Sequence, residues 1–181
     1  GDYLANSKLE KLDASHAAAR QGLDGAGELT RKLLGIKGKR SVDSFHKELG
    51  KHMWEYCGMA RNAKGLEHAQ GKIAELRDEF WKNVNVTGGG EEINQALERA
   101  GRVADFLELG ELMCLDALQR RESCGGHFRE EWQTPEGEAQ RDDENFTHAA
   151  AWLHQGPGKT PERLVEPLAF EYVHPSQRSY K

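Results

Sequence analysis

Three apolar stripes, each repeating every three or four residues, constrain this chain more than anything else in it. Val42, Phe45, Leu49, Met53, Tyr56 and Ala60 form the first. Leu66, Ala69, Ile73, Leu76 and Phe80 form the second. Ile93, Leu97, Ala100, Ala104, Leu107, Cys114 and Leu118 form the third, and Val103, Phe106, Met113 and Ala117 add a second apolar face to it. This period sets each group of side chains along one side of a helix. Helices with one apolar side must bury it against each other. The expected fold is therefore all-α, a helical bundle. A third helix over about 91–121 with two apolar faces should be its central and most buried member.

The breaks between the stripes set the connections. Ser41 or Asp43 can cap the first helix, because their side-chain oxygens accept from first-turn amides. Gly65 stands where a helix end favours a left-handed residue. A connection at 63–65 is short enough to make the first two helices antiparallel neighbours. Thr87-Gly-Gly-Gly90 closes the second helix. Glu91 and Glu92 then favour the positive end of the third.

Residues 1–35 carry two weaker helical patches, 4–19 and 23–34, interrupted by Gly22, Gly25 and Gly27. Residues 35–40 form a basic, glycine-bearing linker. Beyond Glu122 the helical pattern stops at Gly125-Gly126. A polar turn follows at 133–140, residues 142–154 are expected to form a short helix, and 156–158 breaks it. Residues 165–173 have strand-like composition, with Pro167 restricting them to an edge strand. The expected division is an N-terminal helical arm and linker at 1–40, a bundle at 41–124, and a loop with an irregular tail at 125–181.

Composition excludes several functions. A net charge of -5 argues against nucleic acid as a partner. No apolar run approaches the roughly 18–20 residues of a membrane span. Cys57, Cys114 and Cys124 are odd in number and widely spaced, which fits free thiols in a reducing compartment rather than a disulfide framework or an iron–sulfur centre. The chain opens on Gly1-Asp-Tyr-Leu, which is neither a signal peptide nor a Met start, so a piece of a longer polypeptide is expected.

Candidate chemistry is sparse. Glu171 and His174 have the spacing of a bundle metal motif but lie in the tail beside Pro175, and Glu48 and His52 fit a surface hydrogen bond better than a ligand pair. Cys124 has His127, Arg120, Arg121 and Arg129 nearby, yet sequence neighbours do not make a catalytic dyad. Gly88-Gly89-Gly90 precedes a helix, but no strand leads into it and two glutamates would repel phosphate. Trp54 and Trp81 lie off the stripes and are candidates for partner contact. No catalytic, cofactor-binding or metal-binding residue is assigned to this chain.

The most specific stretch is Arg121-Glu-Ser-Cys-Gly-Gly-His-Phe-Arg-Glu-Glu131, followed by Arg141-Asp-Asp-Glu-Asn-Phe146. It resembles the E-S-R-G-(A/G)-H-x-R … R-D-D-E signature of succinate dehydrogenase and fumarate reductase flavoprotein subunits. Glu48-Leu-Gly-Lys-His-Met-Trp-Glu-Tyr-Cys-Gly-Met-Ala-Arg61 is similar to that family's first bundle helix, and Leu112–Ser123 to its long third helix. Pro175-Ser-Gln-Arg-Ser-Tyr180 is similar to its ending, and residues 1–5 to the segment after its flavin-binding domain. One departure is that Cys124 stands where the family has Arg.

The resemblance implies a three-helix, spectrin-repeat-like up-and-down bundle with an N-terminal helical arm and a tail containing a short helix and an edge strand. It implies the C-terminal domain of a subunit that uses FAD to oxidise succinate to fumarate, coupled to quinone. The flavin-attachment and substrate-binding motifs of the family lie outside this chain, so FAD belongs to the parent subunit and the domain is not catalytic alone. The implied partners are the flavin-binding domain, the iron–sulfur subunit and, indirectly, a membrane anchor, in a cytoplasmic, membrane-associated complex. His127, Arg129, Glu130, Glu131, Arg141 and Asp142 become the candidate interdomain or partner contacts. The competing expectations are a freestanding helical adaptor and the equivalent domain of L-aspartate oxidase.

Overall fold

A computed structural model describes residues 1–9, 13–156 and 158–176 of the chain. The elements run α1 (Asp2–Asn6), α2 (Ala17–Ile36), β1 (Arg40–Ser41), α3 (Val42–Tyr56), α4 (Ala63–Asn83), β2 (Val84–Asn85), α5 (Gln95–Gln119), α6 (Asp143–Phe146), β3 (His148–Leu153) and β4 (Glu162–Pro167). The chain divides into two compact units, one of residues 1–47 and 76–106, the other of 48–75 and 107–181. The long helices α3, α4 and α5, the three expected from the stripes, each contribute residues to both.

In the first unit, Phe45 of α3 and Phe80 of α4 are fully buried and meet edge to face, with ring centroids 5.2 Å apart. Burying such a ring is worth roughly 1.5–3 kcal/mol. Leu33, Val42, Leu76, Val84, Val86, Ala100 and Val103 complete this core. The basic stretch before α3 is held by backbone pairing. Arg40 and Ser41 pair in parallel with Val84 and Asn85, and the Gly38 amide donates to the Val84 carbonyl at 3.0 Å. A β carbon on Gly38 would lie 2.0 Å from the Asn83 backbone, so this approach requires glycine.

The two patches expected in the N-terminal arm differ from what forms. Residues 17–36 make one uninterrupted helix, with Leu33 its one buried residue. Gly22, Gly25 and Gly35 sit in open space within it. They weaken the helix without breaking it, since Gly lowers propensity but does not remove a backbone hydrogen bond. Of the first patch, residues 10–12 lie outside the described residues, and helix is confined to Asp2–Asn6 and the start of α2.

The third helix starts later than its stripe suggested. Asn94 caps it by accepting the Leu97 amide at 3.1 Å, which leaves Ile93 outside the helix and 99% exposed. The buried line along α5 is Ala100, Val103, Leu107, Gly110, Cys114 and Ala117, while Phe106, Leu109 and Met113 face outward. The helix is therefore not buried all round.

In the second unit, α3 stops at Tyr56 and the connection to α4 is 57–62. Gly65 is not a helix end. It lies in the first turn of α4, where its amide donates to the Asn62 side chain at 2.8 Å. The capping oxygen of Asn62 overrides the glycine as the boundary signal. Leu49, Leu66, Ala69, Ile73, Leu107, Cys114 and Ala117 form the apolar core here.

The tail also departs from expectation. Helix covers only Asp143–Phe146, and His148–Leu153 is a strand. It pairs antiparallel with Glu162–Pro167, from His148 opposite Pro167 to Leu153 opposite Glu162. The alanines at 149–151 carry helix propensity, but cross-strand pairing decides their state. Pro167 closes the outer end of β4, where its missing amide is tolerated. The Trp152 indole donates to Asp116 of α5 at 2.8 Å and anchors the hairpin. The ending similarity at 177–180 falls outside the described residues. No helix among the described residues is long and apolar enough to cross a membrane.

Candidate functional site

The signature begins where α5 ends. The last turn of a helix leaves carbonyls without intrahelical partners. Here Arg129, 3% exposed, supplies donors to them: its Nη1 lies 2.8 Å from the Ala117 carbonyl and 3.2 Å from that of Leu118. A guanidinium at the negative end of a helix is also favoured by the macrodipole. Its Nε donates to Glu131 at 3.1 Å.

Glu131 carries the connection to α4. Its other carboxylate oxygen accepts the Ala63 amide, the first residue of α4, at 2.5 Å. Partial burial opposes ionisation, but the Ala63 amide and Arg129 outweigh it and hold the carboxyl below the usual glutamate range. One short polar chain thus joins the C-terminal end of α5 to the N-terminal end of α4. Glu130 adds a parallel link, accepting from Asn62 at 2.6 Å.

The turn itself is set by Cys124 and His127, whose amides and carbonyls bond reciprocally at 2.8 and 3.0 Å. Gly125 adopts φ +58° between them, the left-handed region that glycine enters without strain. His127 donates from Nε2 to the Arg120 carbonyl at 2.8 Å, which leaves Nδ1 to accept from Arg61 at 3.4 Å. Burial pushes its imidazole below the ordinary histidine value, and the guanidiniums of Arg61, Arg120 and Arg129 add to that, against the Arg120 carbonyl bond. The neutral ring fits this hydrogen-bond pattern.

Arg61 reaches the loop from the α3–α4 connection. Its amide donates to the Phe128 carbonyl at 3.2 Å, and its carbonyl accepts the Glu130 amide at 2.9 Å. Arg141 and Asp142 sit at the outer edge. Arg141 pairs with Asp143 at 2.6 Å and donates to the Ser176 carbonyl at 2.8 Å, while Asp142 caps α6 by accepting the Asn145 amide. All six candidate residues therefore fall in one loop system, and each makes hydrogen bonds within its own chain.

Besides Arg61 and Asn62, sequence reasoning missed two members within the loop itself. Glu122 is 2% exposed, pairs with Arg120 at 2.6 Å and accepts the Asp142 amide at 3.0 Å. Ser123 is fully buried, accepts the Arg129 amide at 2.8 Å and donates to the Arg129 carbonyl. Adjacent polar residues directly after a long apolar stripe are the signal that could have marked them.

Among the described residues no group of three or more His, Cys, Asp or Glu side chains could hold a metal. The glycine loop at 88–90 does not fit a phosphate. The Glu92 carboxylate takes the Gly89 amide, and Asn94 donates to the Thr87 and Gly89 carbonyls. A carboxylate already occupies the place an anion would need.

Comparison with known proteins agrees with this architecture. The family model described as fumarate reductase flavoprotein C-term matches residues 46–180. The fumarate reductase flavoprotein subunit of Serratia sp. is 26% identical across 99% of the chain, which covers 29% of that protein. The succinate dehydrogenase flavoprotein subunit of Bacillus subtilis is 26% identical across 82% of the chain, which covers 24% of that protein. Among solved structures, the FrdA chain of Escherichia coli quinol fumarate reductase superposes with a TM-score of 0.79 at 23% identity, over 97% of this chain and 28% of its own. The chain spans less than a third of the length of these relatives.

Proposed function

Since the chain belongs to the fumarate reductase flavoprotein C-terminal family, we propose that it is the helical brace of a flavoprotein subunit interconverting succinate and fumarate. In this reading FAD and the reacting groups reside in the flavin-binding domain of the same polypeptide, and electrons pass through an iron–sulfur subunit to quinone. The helical domain performs no chemistry itself. It would be membrane-associated through the parent complex rather than by a span of its own.

The observation that carries the reading is the Arg129–Glu131 link between the ends of α5 and α4. It fixes the loop from within, so that the outer edge at Arg141 and Asp142 can be offered to the flavin-binding domain in one conformation. Preorganised polar groups lose less entropy on docking. The outward Leu109 and Met113 of α5, and the exposed Leu23 and Leu29 of α2, support the same reading. They give apolar area that a neighbouring domain would cover.

The test is Arg129→Ala in the full-length subunit, scored by bound flavin per polypeptide and by succinate-dependent dye reduction. The proposal expects both to fall together. Full flavin content with full activity would remove the brace from the account.

A further inference from the structure

Cys57 and Cys114 are 57 positions apart in sequence, yet their side chains are close neighbours in the fold. Both are buried and neither is in a disulfide. Their approach is built into the helix packing. Four residues before Cys114, Gly110 of α5 lies so close to α3 that a β carbon there would be 3.3 Å from the sulfur of Met53, four residues before Cys57, and 3.3 Å from Leu49 Cδ1. The absence of a side chain at 110 lets the two helices come together, and one turn further along this places Cys114 beside Cys57.

We propose that Cys57 and Cys114 form a reversible thiol oxidation site, closed to an intramolecular disulfide by a low-molecular-weight disulfide such as oxidised glutathione. Cys57 opens the 57–62 connection rather than lying inside a helix, so a local opening of that loop exposes its sulfur. The Cys57 thiolate attacks one sulfur of the oxidant, forms a mixed disulfide and releases one thiolate. Cys114 then attacks the Cys57 sulfur, forms the internal bond and releases the second. The two cysteine protons pass to the two departing thiolates, and the oxidant is reduced to two thiols. Its place at the start of the connection makes Cys57 the attacking group, and the neighbouring Cys114 thiol, with Arg61 assisting, draws its pKa down to about 7 against the opposing effect of burial. Cys114 is pushed up by its Cys57 neighbour and by burial, and acts as the resolving partner. Closure would tie the connection that carries Arg61 to α5.

The test treats the full natural polypeptide with oxidised glutathione, quenches in acid, alkylates the remaining thiols after unfolding and digests with trypsin. The expected product joins peptide 52–61 to peptide 103–120, with Cys124 alkylated separately on 122–129. A reductant should separate the pair, and Cys124→Ser should leave it unchanged. Recovery of Cys57 and Cys114 both alkylated on separate peptides would overturn the proposal. So would a lasting glutathione adduct on Cys57 beside a free Cys114, or a cross-link that includes Cys124.

Discussion

Phe80 in one unit and Arg129 in the other are both buried, but different physics holds them. Phe80 meets Phe45, and the contact is non-directional apart from the edge-to-face preference of the rings. Arg129 meets two carbonyls and a carboxylate, each at a definite distance and direction. The first arrangement asks for apolar volume, which many sequences supply. The second asks for one guanidinium in one place, because a buried acceptor left without a donor carries the full desolvation penalty. The bundle core should therefore tolerate exchange of like for like, and the signature loop should not.

The largest expected effect tests the apolar side. Phe80→Ala should lower unfolding free energy by about 3–5 kcal/mol in a urea titration. Leu66→Met, at another fully buried position, should lose less than about 1.5 kcal/mol. If these two variants were equally damaging, the core would not be the permissive region described.

Arg129→Lys comes next. Lysine keeps the charge but loses the planar fork that reaches two carbonyls and Glu131 together, so a loss of about 1–3 kcal/mol is expected by the same titration. A neutral outcome would erase the contrast with Leu66→Met. Asn62→Ala should cost about 1 kcal/mol, because it removes the cap of α4 but leaves Glu131 on the Ala63 amide.

The smallest effect is pH-dependent. His127 binds a proton less readily in the folded chain than its ordinary value of 6.5 implies, so the unfolded chain takes up the proton first as pH falls. Stability should be complete above pH 6.5 and decline as pH drops from there through the lowered folded value. Thermal unfolding between pH 7.5 and 5 should show this step in the parent and not in His127→Asn.

The stripes made the bundle legible. Phe45, Leu49, Ile73, Phe80 and Leu107 all lie in the core that their spacing indicated. Boundaries were harder, because they depend on which polar side chain captures a free amide. Asn62 starts α4 where a connection at 63–65 was expected, and Asn94, not Glu91, starts α5. The β3–β4 hairpin was hidden because Ala149–Ala151 favour helix locally, and a strand state needs a partner more than ten residues away. The signature was visible as a motif, and the sharp turn at Gly125 was readable from its glycines. The inward engagement of Arg129 and the burial of Glu122 were not, since their partners are carbonyls and amides that sequence does not distinguish. The Cys57–Cys114 pairing was invisible for a related reason: only helix packing brings residues so far apart into register.

Hydrogen exchange on the parent and on Arg129→Ala probes the link between the ends of α5 and α4 amide by amide. The amides of Arg129, Glu130 and Ala63 bond to Ser123, Arg61 and Glu131 respectively. If that link joins the two helices, all three are protected in the parent and lose protection together in the variant, while amides around Phe45 and Phe80 keep theirs. Unchanged protection at Ala63 in the variant would contradict it, because α4 would then be held without the Arg129–Glu131 link.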